Sequence, residues 1–338
     1  MSKILEEANS IAEKVEIFNR DDHNPYNDVK KIVLDNKIKL IVTVARGTSD
    51  CAALYASYLF AKFLGLPTYS LPPSQITLEK TKFDFSSALV LIISQSGLSE
   101  DLIECEKSSR TMGALTAILT NNNKSPIIKT ANYYFNMRAG KEESVAATKS
   151  FVLTLLNLIK LVSVVSDNHT ILSKINDLPK MIERENINTW DPTIVDNHLS
   201  NGFIISRGLG YALSTEISLK FKELCQEQIE PFSSAEVMHG PRSLIENKFK
   251  LFVLILNDKS GNIVLKDIDE LKKRTDKVYE ILPKSYGDTA FSYHSLESSE
   301  LDSIILMANF YPWITKYSKI KGLDPDQPRY LTKVTNTF

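Results

Sequence analysis

The sequence predicts an α/β protein made of two tandem halves, each a parallel sheet flanked by helices in the doubly wound manner. Three observations predict it. Apolar strand-like runs alternate with helical periodicity, which is the pattern of parallel sheets covered on both faces. The order strand, Arg-Gly turn, apolar helix occurs twice, at 38–65 and again at 202–225. The turns after the strands carry glycine and hydroxyl residues, at the carboxyl ends where such sheets bind ligands.

The elements follow in order. Residues 1–30 form an N-terminal helical segment, in which "MSKILEEANSIAEKVEIF" reads as one acidic amphipathic helix without a signal-peptide pattern. The first half, 31–166, opens with the strand "IKLIVTVA" at 38–45, the turn "RGTSD" and the helix "CAALYASYLFAKFLG". Further strands are expected near 88–93, 114–119 and 132–136. The apolar run "FVLTLLNLIKLVSVV", 151–165, is interrupted by Lys160 and is too short to span a bilayer. A linker helix is expected at 167–197, a second half at 198–318 and a closing tail at 319–338. In the second half "GFIIS", "RGLG" and "YALSTEISLKFKELC" repeat the opening of the first. Arg46-Gly47 aligns with Arg207-Gly208 at an offset of 161, and "ALVLIISQSG" with "KLFVLILNDKSG" aligns Gly97 with Gly261 at 164.

The turn "SQSGLSEDLIE" asks for a chemical reading. The run "ALVLII" before it is a short buried strand. After it, Leu98, Leu102, Cys105 and Met112 recur at roughly helical spacing, so a helix starts near Ser99. The hydroxyls then lie where the first helical N–H groups have no partners. Such a terminus suits a phosphate, but taken alone the turn favours a serine N-cap behind a flexible glycine. Comparing the halves favours phosphate. The first has Thr48, Ser49, Ser94, Gln95, Ser96 and Ser99 at its turns; the second has Leu209, Gly210, Asn257, Asp258 and Lys259, a degenerate copy.

Composition narrows the rest. At 338 residues with 43% hydrophobic content the chain can fill two cores. A formal net charge of −1 gives no reason to expect nucleic acid or an acidic surface as partner. Cys51, Cys105 and Cys225 are scattered, as reduced thiols of a cytoplasmic protein would be. No HxH, HExxH or paired-Cys spacing marks a metal site, and no GxGxxG follows a strand. No membrane and no cofactor are expected.

The segments "ARGTS", "SQSGLSEDL", "ESVAATKSF", "EISLKFKEL", "VMHGPRSLI" and "DPDQPRYLTKV" resemble the SIS (sugar isomerase) family, most closely the isomerase half of glucosamine-6-phosphate synthase and the deaminases that share its architecture. The likeness runs from about residue 38 to the C-terminus and implies two tandem SIS subdomains of flavodoxin-like form. One departure is Arg46, where the synthase often has cysteine. Another is the opening Met1-Ser2, which leaves no room for a glutaminase domain, so ammonia from glutamine is not the expected substrate.

The resemblance implies roles. Ser94, Gln95, Ser96 and Ser99, helped by Thr48 and Ser49, form a cup for the 6-phosphate of a sugar, and Val145 and Ala146 line the substrate. Glu216, Lys220 and Glu223 fall at i, i+4 and i+7 on one helix face beside the apolar stripe Leu213, Ile217, Phe221 and Leu224. By spacing alone that face is a solvent-exposed ion pair. The resemblance puts it in the sugar site, with Glu223 moving the proton between C1 and C2. His239, in "MHGP", opens the sugar ring across a homodimer interface by the same implication. His23, His169, His198 and His294 read as surface residues. Lys333, after Pro325 and Pro328, acts on the open-chain sugar from a tail folded over the site. The expected substrate is a phosphorylated amino sugar, and the expected activity is glucosamine-6-phosphate deamination. A related SIS isomerase, a galactosamine-6-phosphate deaminase, a deglycase or a sugar-phosphate sensor are the alternatives.

Overall fold

A computed structural model describes residues 2–21, 23–35, 37–187, 190–199 and 201–333. The chain divides into two compact units. One holds Lys14–Glu142, Lys149–Asn176 and the tail from Thr332; the other holds the chain up to Glu13, Glu143–Thr148 and Asp177–Leu331.

In chain order the structure opens with α1 (Lys3–Asn9), α2 (Ile11–Asp21) and α3 (Tyr26–Leu34). The single N-terminal helix expected from periodicity is therefore two. It breaks at Ser10, whose hydroxyl donates to the Glu7 carbonyl at 2.8 Å, a local bond that competes with helix continuation. The first sheet is built from β1 (Leu40–Val44), β2 (Thr68–Ser70), β3 (Ala88–Ile93), β4 (Leu115–Thr120) and β5 (Tyr133–Asn136). Between them run α4 (Thr48–Leu64), α5 (Pro73–Thr77) and α6 (Glu100–Thr111), and α7 (Lys149–Val165) and α8 (His169–Lys174) follow.

The five strands are ordered β2-β1-β3-β4-β5, and every pairing is parallel. β3 sits centrally, and all six of its residues are buried, as a strand covered on both faces must be. Val90 and Ile92 pack with Val42, Val44 and Ile118 against Leu102 and Cys105 of α6. Leu98, expected in the same stripe, is 50% exposed and precedes the helix. The apolar run 151–165 lies in α7, buried along nearly its whole length and packed on α3, α4 and α8.

The second unit holds α9 (Leu178–Ile187), β6 (Asn201–Ser206), α10 (Leu209–Cys225), β7 (Gln228–Ser233) and α11 (Ser234–Val237). β8 (Lys250–Leu254), α12 (Lys259–Ile268), β9 (Val278–Pro283), β10 (Phe291–Tyr293) and α13 (Ser299–Ile320) complete it. The strand order β10-β9-β8-β6-β7 is the first sheet's order with β6 in the place of β1. All pairs are again parallel. Pro231 lies in the edge strand β7, where a missing N–H is tolerated.

The repeat is therefore structural. Gly47 and Gly208 take nearly the same backbone geometry, φ 57 with ψ −131 and φ 60 with ψ −134. The second glycine anchor does not hold. Gly97 precedes α6 with φ +61, whereas Gly261 lies inside α12. The strands themselves are in step, since Ile93 and Leu254, which end β3 and β8, are 161 apart like the Arg-Gly pairs. No helix among the described residues is long and apolar enough to cross a membrane.

Candidate active site

In the first unit the hydroxyl residues stand at the carboxyl ends of β1 and β3. Gly47 is the N-cap of α4, with Thr48 and Ser49 in the first turn. Ser99 is the N-cap of α6, yet its hydroxyl makes no capping hydrogen bond, and neither does any side chain at Gly47. The serine-cap reading of this turn thus meets no capping bond.

The turn before α6 is fixed by its own contacts. Ser94 Oγ accepts from Gly97 N at 3.0 Å, Asn122 Nδ2 donates to the Ser96 carbonyl at 2.8 Å, and Thr120 Oγ1 donates to the Gln95 carbonyl at 3.2 Å. Ser125 Oγ donates to the Gly97 carbonyl at 2.7 Å. A Cβ on Gly97 would stand 2.5 Å from that same Ser125 Oγ. With φ at +61, Gly97→Ala is strained twice, by backbone and by contact. It is expected to lower stability by about 1–3 kcal/mol, read as a lower denaturant midpoint. An unchanged midpoint would contradict this account of the turn.

The corresponding turn of the second unit is closed. Asp258 caps α12, accepting from Ser260 N at 2.8 Å and Gly261 N at 3.1 Å. A carboxylate at the N-cap thus takes the positive end of α12. The N-cap of α6, Ser99, makes no side-chain capping bond, and Asp101 Oδ1 accepts from Leu102 N at 2.8 Å inside the first turn.

The charged face of α10 is not a solvent face. Glu216 and Lys220 have side chains with 0% exposure, and Glu223 retains 20%. Lys220 Nζ donates to Glu223 Oε2 at 2.5 Å and stands 3.4 Å from Glu216 Oε1. Tyr311 of α13 donates its hydroxyl to Glu216 Oε1 at 2.9 Å. Leu213, Ile217, Phe221 and Leu224 are buried beside them as the stripe predicted. The arrangement is a buried acid–lysine pair that orients one partly exposed carboxylate.

His239 is exposed on the turn after α11, its N–H donating to the Glu236 carbonyl at 3.0 Å. His294, expected at the surface, is instead hydrogen-bonded through Nδ1 to the buried Glu185. Of the segment "ESVAATKS", Ala146 is buried and Val145 half-buried. The Glu7 carboxylate of α1 holds its start, accepting from the backbone N–H groups of Glu143 and Ser144 and from the Ser144 hydroxyl. Asp326 in turn caps α1, accepting from Lys3 N and Ile4 N at 3.0 Å each. No periodicity in the sequence announces these grips.

Lys333 Nζ donates at 3.1 Å to Glu142 Oε2. That carboxylate also accepts from Ser150 N at 3.0 Å and Ser150 Oγ at 2.7 Å. The tail beyond Lys333 lies outside the described residues. Cys105 is no nucleophile: burial, and then the charges of Asp101 and Glu104, push its thiol up to about 12. Among the described residues no group of three or more His, Cys, Asp or Glu side chains could hold a metal ion.

Comparison with known proteins agrees with this architecture. Residues 36–163 match the SIS domain. The chain is 31% identical over 316 residues to the glutamine–fructose-6-phosphate aminotransferase (isomerizing) of Sulfolobus acidocaldarius, covering 90% of this chain and 51% of the relative. It thus spans about half the length of the curated relatives it matches. A crystal structure from Silicibacter pomeroyi DSS-3, provisionally named a phosphosugar isomerase, superposes with a TM-score of 0.83 at 29% identity, covering 96% of this chain and 100% of that one. Glucosamine-6-phosphate deaminase from Thermotoga maritima shares the fold, with a TM-score of 0.80 at 18% identity over 99% of this chain and 100% of that one. Residues 36–163 are thus a SIS domain, and the chain as a whole is similar in sequence and in its two parallel sheets to these relatives.

Proposed function

We propose that this chain is a phosphosugar enzyme that converts glucosamine 6-phosphate to fructose 6-phosphate and ammonia. The observation that carries the reading is the face of α10, where a buried Lys220 holds the partly exposed Glu223. A carboxylate held in place suits removal of a proton next to a carbonyl. Thr48, Ser49, Ser94, Gln95, Ser96 and Ser99 take the phosphate, with the start of α6, where the Ser99 side chain makes no capping bond, supplying N–H groups. Glu216 and Lys220 orient Glu223, and Val145 and Ala146 line the sugar.

In this reading His239 opens the pyranose ring, delivered by a second subunit of a homodimer. Glu223 takes the C2 proton to give an enolamine, and a proton returns to C1. Water hydrolyses the resulting C2 imine, releasing ammonia and leaving fructose 6-phosphate. Lys333 acts on the open-chain sugar. No cofactor enters, because every step moves protons or water.

Replacing Ser96 and Ser99 together by alanine is expected to raise KM for phosphorylated sugar with little effect on the fold. Each lost charge-assisted hydrogen bond is worth about 1.5–3 kcal/mol. Saturation unchanged from wild type would remove the phosphate assignment.

A second reading is aldose–ketose isomerisation without loss of nitrogen, favoured by the isomerizing name of the aminotransferase relative. An ammonia-release assay with glucosamine 6-phosphate, galactosamine 6-phosphate, a fructosamine 6-phosphate adduct and glucose 6-phosphate separates the two. Ammonia is expected from glucosamine 6-phosphate. Interconversion of glucose and fructose 6-phosphates with no ammonia from any amino sugar would replace deamination by isomerisation.

A further inference from the structure

Arg46 stands where the strand β1 ends and immediately before the Gly47 that starts α4. Its Nε donates at 2.6 Å to Oδ2 of Asp101, whose side chain is only 5% exposed and whose Oδ1 accepts from Leu102 N at 2.8 Å. Asp101 is the second residue of α6, so its carboxylate lies in the first turn of the helix whose start is assigned to the phosphate. Glu100 precedes it. A second acid, Asp50, sits in the first turn of α4. Desolvation raises the Asp50 carboxyl above its ordinary value, while the Ser70 hydrogen bond and the Arg46 charge pull it down. One guanidinium thus acts on an aspartate at the start of each helix.

This arrangement poses an electrostatic problem. An acid in the first turn of a helix suits the macrodipole, but it opposes a phosphate dianion brought to the same end. Asp101 itself is buried, so its share of the repulsion is screened less than that of a surface acid, although Arg46 is 44% exposed. A cation fixed on the acid removes it, and the same bond ties the β1–α4 turn to α6.

We infer that Arg46 is a positioning residue for the phosphate: through its bond to Asp101 it offsets the acid at the start of α6 and holds the two hydroxyl turns together. The inference rests on the phosphate reading of those turns. In this role Arg46 governs affinity for the phosphate of any phosphosugar and leaves the sugar chemistry to other residues.

The test is calorimetric binding of fructose 6-phosphate and of inorganic phosphate to the full chain. Arg46→Gln is expected to weaken fructose 6-phosphate binding by about tenfold or more. Arg46→Lys keeps the charge and is expected to stay within about threefold of wild type. Adding Asp101→Asn to Arg46→Gln removes the offending charge, so affinity is expected to return to within about threefold of wild type. A merely structural role predicts the reverse, a double variant weaker than either single one. Binding by Arg46→Gln equal to wild type, or no recovery in the double variant, overturns the inference while leaving the hydroxyl cup standing. If wild type binds neither ligand, the phosphate reading itself fails and the inference falls with it. Thermal melts of each variant separate loss of fold from loss of affinity.

Discussion

Glu223→Gln is expected to reduce turnover by about 10²–10⁴-fold, the usual cost of removing a general base, while KM changes little. The glutamine keeps an oxygen that can accept from Lys220, which bonds the carboxylate at 2.5 Å in the native protein. The helix face should therefore stay packed, and the loss should lie in kcat. The check is steady-state kinetics beside a thermal melt. Turnover within a few fold of wild type would make Glu223 a helix-face carboxylate and move the base elsewhere.

Lys220→Ala is expected to be the most destabilising single change on α10. The Lys220 side chain has 0% exposure and lies between Glu216, also at 0%, and Glu223. Removing one partner of a buried ion pair leaves charge without compensation and costs about 3–5 kcal/mol. Tyr311 still donates to Glu216 but brings no positive charge. Denaturant unfolding followed by a fluorescence probe should show the midpoint fall. Glu216→Gln combined with Lys220→Met removes both charges and is expected to recover much of the loss. If Lys220→Ala unfolds at the wild-type midpoint, the pair carries little of the unit's stability.

Much of the fold was legible because strong local patterns coincide with it. "ALVLII" reads as a buried strand and is β3, buried at every position. The twice-occurring Arg-Gly turn marks equivalent places in two sheets of the same order. β2, by contrast, is three residues, "TYS", none of them buried, and so short an edge strand leaves no period to detect. The break at Ser10 hides inside a continuous amphipathic pattern because one hydroxyl decides it.

The candidate site was legible in its residues and illegible in its contacts. Helical spacing puts Glu216, Lys220 and Glu223 on one face, but only α13, which brings Tyr311 to Glu216 across 95 positions, decides that part of the face is buried. Arg46 and Asp101 are 55 residues apart, and His294 finds Glu185 across 109. Such pairs are made by sheet topology, which sets which strand ends and helix starts meet, and a one-dimensional pattern carries no trace of them. The capping by Asp258 is an intermediate case. Its acid is visible beside Lys259, yet that it closes the start of α12 follows only from the backbone there.

The central claim is that Glu223 moves a proton at C2 of a phosphorylated sugar. Proton NMR of glucosamine 6-phosphate incubated with the enzyme in deuterium oxide tests it most directly, whatever becomes of the nitrogen. The account predicts that wild type exchanges the C2 proton for deuterium, in residual substrate or in product, and that Glu223→Gln slows this exchange by about 10²-fold or more. Exchange at the wild-type rate in Glu223→Gln, or none with wild type, would contradict it.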